Sequence, residues 1–345
     1  MKYLFFTMTL LSCGYLLLIL FSRYIYDTRG TDVNSFSKEI MNALKGFAIT
    51  IIMTAHIANL FGIRYLNPLG AWGVAIFLFC SGYGLEKSAK IKGLKGFWKK
   101  RIKKVYLLYF IIEIFAFIFI YDNITGLEIV LDLSLISTRH PFGWYMQCLF
   151  MYYIAFYVGH IFRNNKIKYF IIILFSIFLF IFGDGLFKQQ ILSFLLGVLI
   201  ADKSSIEKRL QNNSIVFVTS ILMAVLLLVL KQMPVLRMSN EFIYRFIEAL
   251  DTVFMLFMSI ELFNILAKRC VIFIIPFIII GNISYEIYLV HVFFMPTEVS
   301  ILSILRFYFL TFLTATLINQ RKAVNRILKY FRRGKNENKI NPEKD

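Results

Sequence analysis

Apolar residues in this chain fall into long blocks, without the alternating or one-sided patterns of soluble strands and helices. Ile171–Phe182, for example, is apolar at every position except Ser176. A water-soluble fold would have to bury such a helix on all sides. A bilayer instead accepts apolar spans of about 20 residues separated by short polar loops. Hydropathy predicts helices at 3–22, 41–63, 69–87, 105–121, 143–162, 167–183, 187–201, 214–230, 246–266, 271–293 and 299–319. The first has a long apolar core and no small-residue cleavage pattern behind it, so it reads as an uncleaved helix and not as a signal peptide. The expected fold class is all-α: a polytopic integral membrane protein of about eleven transmembrane helices around a polar cavity.

Composition agrees with this pattern, since 59% of residues are apolar and the mean hydropathy is +0.70. The formal net charge of +18 is placed as positive-inside bias places it, and it points to no nucleic-acid partner. Nine lysines and arginines crowd Lys87–Lys104, and nine more follow Gln320. Arg163, Lys166 and Lys168 occupy another loop; Lys203, Lys208 and Arg209 the next but one; Lys268 and Arg269 a later one. Eleven spans put all of these on one side, which sets the C-terminus in the cytoplasm and the N-terminus outside, in a plasma or inner membrane. Segment 122–142 then faces outward. The chain divides into an extra N-terminal helix and linker (1–40), a membrane domain (41–319) and a basic tail (320–345). The tail is partly amphipathic through Val324, Ile327, Leu328 and Phe331, and is expected to lie on lipid of the inner leaflet. Cys13, Cys80, Cys148 and Cys270 stand alone, without the spacing of a disulfide framework or a metal site.

Charged and polar groups inside the spans are the candidates for chemistry. Lys45 and His56 share one face of a predicted helix, about 16 Å apart along its axis. Lys45 sits near the cytoplasmic end, and His56 in the outer half. A lone histidine on an apolar helix is more often a packing residue, but an imidazole in hydrocarbon needs a cavity or a partner, and its chemistry suits a general base. Glu113, Glu248, Asp251, Glu261 and Glu286 also fall within spans; Glu113 is the most central and a candidate to orient His56. His140 and His160 read as incidental. In the tenth span Ser284, Tyr288 and His291 are spaced i, i+4 and i+7, one polar stripe on one face.

Further segments accompany these: Ala75-Ile76-Phe77-Leu78-Phe79-Cys80-Ser81-Gly82-Tyr83, the basic run Lys99-Lys100-Arg101-Ile102-Lys103-Lys104, Trp144-Tyr145-Met146, and Gly281-Asn282-Ile283-Ser284-Tyr285-Glu286-Ile287-Tyr288-Leu289-Val290-His291. In this order, with Lys45 and His56 ahead of them, they resemble the acyltransferase-3 family of membrane O-acyltransferases from about Asn42 to Asn319. The resemblance implies a ten-helix core, preceded here by one extra helix and without an extracytoplasmic hydrolase-like domain. It implies transfer of an acyl group, acetyl above all, from cytoplasmic acetyl-CoA to a hydroxyl of a cell-surface or exported polysaccharide, with no metal. Lys45, Lys100, Arg101 and Lys104 would hold the CoA phosphates. His56 would act as base or carry the acyl group, and Trp144, Ser284, Tyr288 and His291 would line the acceptor side. Three positions depart from the family pattern: Lys45 and Lys104 stand where arginine is common, and Leu107 where proline is. A transporter or flippase for a glycan or lipid intermediate is the alternative; it would use the same acids and histidine as a proton relay, but the internal repeats typical of that class are not evident.

Overall fold

Every apolar block from 41 onward folds into helix. The structure, a computed structural model, describes residues 36–210, 213–238, 240–298 and 300–337, so the predicted helix 3–22 lies outside the described residues. Among the described residues the elements are helices, with no strand. The principal ones are α1 (Lys38–Leu60), α2 (Pro68–Lys92), α3 (Leu107–Phe119), α4 (Gly126–Leu133), α5 (Trp144–Ile161), α6 (Asn165–Phe182), α7 (Ser193–Asp202), α8 (Ser214–Leu230), α9 (Glu241–Arg269), α10 (Ile275–Asn282), α11 (Ser284–Val290) and α12 (Ile301–Glu337).

Local signals explain most boundaries. Ser37 caps α1 by accepting from the Ile40 N–H, and the Asn240 side chain caps α9 by accepting from Phe242 N–H at 2.8 Å. Pro68 opens α2, and Gly93 closes it at φ 60°, a left-handed turn natural to glycine. Thr125 and Glu128 form a reciprocal capping box at the start of α4, a short helix within the loop that follows α3.

Six described helices are long and apolar enough to cross a membrane, or seven if one bent pair is a single span. The sequence predicts ten over the same residues. The difference lies in three helices: α3 has 13 residues, α8 has 17, and α5 is diluted by Tyr145, Gln147, Tyr152, Tyr153, Tyr157 and His160. α3 nonetheless follows without a break from the helical turns Phe97–Arg101 and Ile102–Tyr106, the latter a π turn. The predicted helix 187–201 is interrupted, with a short turn Gly185–Lys188 before α7. The predicted helix 271–293 is broken at Ile283, and its two parts, α10 and α11, meet at 60°. At the break the Ser284 hydroxyl donates to the Gly281 carbonyl at 2.9 Å, replacing a lost helical bond.

The bundle is layered by burial. In α1, α2 and α9 some 60% or more of the apolar window is covered, whereas in α6 and in Ile301–Gln320 of α12 only 22% is. On α6 the uncovered side is an unbroken apolar surface of Phe170, Ile173, Leu174, Ile177, Phe178 and Ile181. Water would not tolerate that surface, and lipid chains suit it.

Inside, helices approach until backbone touches backbone. A Cβ added to Gly46 would strike the Phe277 carbonyl of α10, and one added to Gly281 would strike the Asn42 carbonyl of α1. The same reciprocity joins α2 and α7: Gly82 faces the Phe194 carbonyl, and Gly197 the Phe79 carbonyl. In lipid, where apolar surfaces gain little by hiding from water, such close contact is what holds helices together. Gly84, one position past Tyr83 on α2, meets nothing within 4 Å. Gly82→Ala and Gly281→Ala are therefore expected to destabilise the folded chain in detergent by about 1–3 kcal/mol, read as a lower thermal midpoint. Gly84→Ala should leave the midpoint equal or raise it, by up to about 1 kcal/mol. Equal midpoints for all three would refute the packing argument.

Candidate active site

One end of the bundle gathers three histidines around an aromatic ring. His56 projects from the last turns of α1, His291 follows α11, and Phe142 comes from the loop after α4. The His56 and Phe142 rings stack at 4.1 Å between centroids, Phe142 and His291 at 5.1 Å, and the two imidazoles lie 5.4 Å apart. The broken helix matters here: the bend lies between the Gly281 crossing and His291, so it sets the direction from which His291 approaches His56.

Hydrogen bonds define the state of two rings. His291 is fully buried, and its Nδ1 faces the carbonyls of Tyr288 at 2.7 Å and Ile287 at 3.2 Å, so Nδ1 carries the proton. Its Nε2 is a buried lone pair with no protein partner. His140 accepts from the Phe142 N–H at Nδ1 (3.1 Å) and donates from Nε2 to the Leu289 carbonyl (3.0 Å), which fixes it as a neutral ring. It thereby ties the Phe142 loop to α11. Asp132 at the end of α4 secures the same loop, accepting from Tyr109 Oη at 2.7 Å and from the Arg139 N–H. Arg139 also reaches Glu128 at 2.8 Å.

Beside this cluster opens a cavity of about 530 Å³, with His56, Trp144, Tyr288 and Gln189 among its walls. That volume suits one or two sugar-sized groups. Tyr288 donates to the Phe142 carbonyl at 2.9 Å, while Trp144 packs edge-on against Phe187. Two intramembrane acids of α9 are paired here. Asp251 bonds Lys231 at 2.8 Å, and Glu248 bonds Arg245 at 2.8 Å and Gln189 at 3.0 Å.

The opposite, basic end is built differently. Lys45 donates to Asn42 at 3.2 Å, and Asn42 in turn donates to Asn282 at 3.0 Å, beside the glycine crossing. The Arg101 guanidinium lies over the rings of Phe97 and Tyr153 at 5.9 and 5.7 Å, with its Nε buried and unsatisfied. Lys100 bonds the Lys95 carbonyl, and Lys104 is exposed in the π turn. The indentation that Lys100 and Arg101 share is small, about 10 Å³. Further along, buried Glu86 bridges Lys168 at 2.8 Å and His160 at 3.0 Å, and Lys168 reaches Asp202 at 3.3 Å.

A model of the acyltransferase domain of one family matches residues 39–330, most of the chain and all the residues above. The chain belongs to the acyltransferase-3 family. No curated protein and no solved structure matches it. It is a membrane acyltransferase, with several apolar helices of spanning length.

In this acyltransferase the predicted site residues separate into three groups. His56, Trp144, Tyr288 and His291 come together at the cavity end. Lys45, Lys100, Arg101 and Lys104 belong to the basic end, Lys45 beside Asn282 and the others in the run from Lys99. Ser284 and Glu113 have other settings. Ser284 turns back to the helix break, and Glu113 lies fully buried on α3, within electrostatic reach of Tyr121 and Asp132. Sequence reasoning passed over Phe142, the middle ring of the stack, and took His140 and His160 as incidental, although both make defined bonds. Lys231 ends an apolar helix and reads as a loop cation; only Asp251, already conspicuous in its span, hints at a buried partner.

Burial holds the His140 imidazole below the usual histidine range. A lowered pKa means that the folded state favours the neutral ring. Stability from this group is therefore present above about pH 6.5, the unperturbed value, and is lost as pH falls below it. Thermal midpoints of the wild type should fall between pH 7.5 and 5, and His140→Gln, which keeps a donor and an acceptor, should flatten that slope. An identical slope in both would show that His140 is not the titrating latch.

Proposed function

We propose that this acyltransferase moves an acetyl group from acetyl-CoA, bound at the basic end, to a hydroxyl of a cell-surface or exported glycan held in the cavity. The single observation that carries this reading is the stack of His56 on Phe142 and His291 beside a cavity walled by Trp144 and Tyr288. An indole face is a natural platform for a sugar ring, and the amide and hydroxyl groups around it match sugar hydroxyls.

His56 faces the cavity and is the general base. In the reaction it takes the proton of the acceptor hydroxyl, and the oxygen attacks the thioester carbonyl. The C–S bond then breaks, and the CoA thiolate leaves and takes up the proton. His291 lies one ring away with its Nδ1 proton anchored, so its free Nε2 accepts a hydrogen bond from His56. The donor assignment is supported by the charge of the basic end and by the unsatisfied Arg101 Nε, a donor suited to a phosphate oxygen. With the positive-inside distribution of Lys and Arg, the basic end is cytoplasmic and the cavity opens outward.

Acetyl content of surface glycans is the direct test, in cells carrying wild type, His56→Ala, His291→Ala or no copy. Acetyl esters should depend on the wild type. Both variants, still inserted in the membrane, should transfer at least about 100-fold more slowly, the usual scale for loss of general base catalysis. Wild-type levels in His56→Ala would remove the base from this mechanism.

A further inference from the structure

The cavity beside His56 is lined by three cations, Arg64, Lys231 and Arg237, and by one acid, Glu248. Internal pairing accounts for part of this charge. Lys231 is neutralised by Asp251, both buried at 2.8 Å, and Glu248 by Arg245 at 2.8 Å. Arg64 and Arg237 then remain, and among the described residues neither makes an ion pair with a carboxylate. Arg237 is instead held by neutral acceptors, the Lys231 carbonyl at 3.3 Å and the Gln232 side chain. Arg64 opens the short turn Arg64–Leu66 that leads into α2. Both are exposed at the cavity mouth.

Two guanidiniums without a carboxylate partner thus line the same cavity. They also stand at the end of the bundle where a positive-inside protein carries few basic groups, so simple topological charge does not explain them. The guanidinium fork fits phosphate and carboxylate oxygens in a bidentate way that a lysine cannot match. We propose that the acceptor is an anionic glycan, whose phosphate or carboxylate is gripped by Arg64 and Arg237 while its hydroxyl faces His56. This inference rests on the acetyl-transfer reading and narrows its substrate class. The neutral walls, Trp144 and Gln189, take the sugar ring, and the arginines select the charge that follows it along the polymer.

The test uses the full chain in nanodiscs with acetyl-CoA and a panel of short oligosaccharides, one neutral, one bearing uronic acids and one bearing glycerol phosphate. Acetyl ester is read by mass spectrometry for the wild type, Arg64→Gln/Arg237→Gln, and Lys92→Gln as an exposed basic control at the other end. The wild type should show a KM at least about tenfold lower for the anionic acceptors, one strong charge-assisted contact's worth. The double variant should cut the anionic-to-neutral ratio of kcat/KM by about the same factor, and Lys92→Gln should not change that ratio. Equal KM values for neutral and anionic acceptors, or an unchanged ratio in the double variant, would overturn the proposal while leaving acetyl transfer intact. Discs of phosphatidylcholine alone and discs with phosphatidylglycerol separate the two sources of phosphate. If the arginine variants act only when anionic lipid is present, irrespective of acceptor charge, the arginines hold lipid headgroups and the proposal fails. If the wild type acetylates no member of the panel, the acetyl-transfer reading falls, and this inference falls with it.

Discussion

Backbone-to-backbone contact at two pairs of glycines, Gly46 with Gly281 and Gly82 with Gly197, is the constraint on which the rest of this bundle depends. Each member of a pair leaves no space for a Cβ, because a carbonyl of the facing helix occupies it. Hydrophobic exclusion from water does little between helices surrounded by lipid, so dispersion over closely apposed surfaces must supply the attraction. The first crossing locks α10 against α1, and the second locks α7 against α2. The short polar bridge from Lys45 through Asn42 to Asn282 lies at the first crossing and fixes its register.

From that crossing the two histidine-bearing segments diverge in kind. α1 continues as a regular helix to His56, whereas the chain after Gly281 breaks, is rejoined by Ser284, and runs through α11 to His291. The break precedes all three members of the Ser284–Tyr288–His291 stripe, which therefore stays on one helix, α11 and the turn that follows it. Its members still do different work: Ser284 satisfies the broken backbone, Tyr288 closes on the Phe142 carbonyl, and His291 enters the ring stack. Phe142 and the neutral His140 latch seal this arrangement from the loop side, and Asp132 anchors the loop in turn. The outcome is a pair of imidazoles at the wall of a cavity, one facing the open space and one buried with a free lone pair. In the proposed reaction such a pair would be preorganised for proton transfer, with little rearrangement left for the moment of reaction.

Much of this was legible before any coordinates. Unbroken apolar blocks marked the long helices of the bundle, though not the short α4 inside segment 122–142, because lipid-facing and buried surfaces of a membrane bundle are both apolar and the signal needs no periodicity. His56, Tyr288 and His291 stood out as polar groups in apolar spans, and Trp144 through the family resemblance; the structure gathers all four at the cavity end. What stayed hidden has physical reasons. The break at Ile283 follows Gly281-Asn282, a pair that can end a helix but here sits without proline between strongly apolar flanks, so hydropathy runs through it as one span. Phe142 is one phenylalanine among 38, and nothing in its neighbourhood separates a stacking ring from a packing one. Glu113 looked central by position, yet its side chain lies among α3 and α4 partners, since depth along a helix says nothing of which face points where. Charge pairs such as Lys231 with Asp251 join residues 20 positions apart in neighbouring helices, and only the fold brings them into register.

The central claim is that one chain moves an acetyl group from a donor at its basic end to an acceptor at the histidine end. Inside-out membrane vesicles test it most directly, with radiolabelled acetyl-CoA outside and glycan sealed within. Label should appear in the enclosed glycan of intact vesicles, and only when they carry the chain. Label that appears only after the vesicles are permeabilised, or equally in vesicles without the chain, would contradict transfer through this protein.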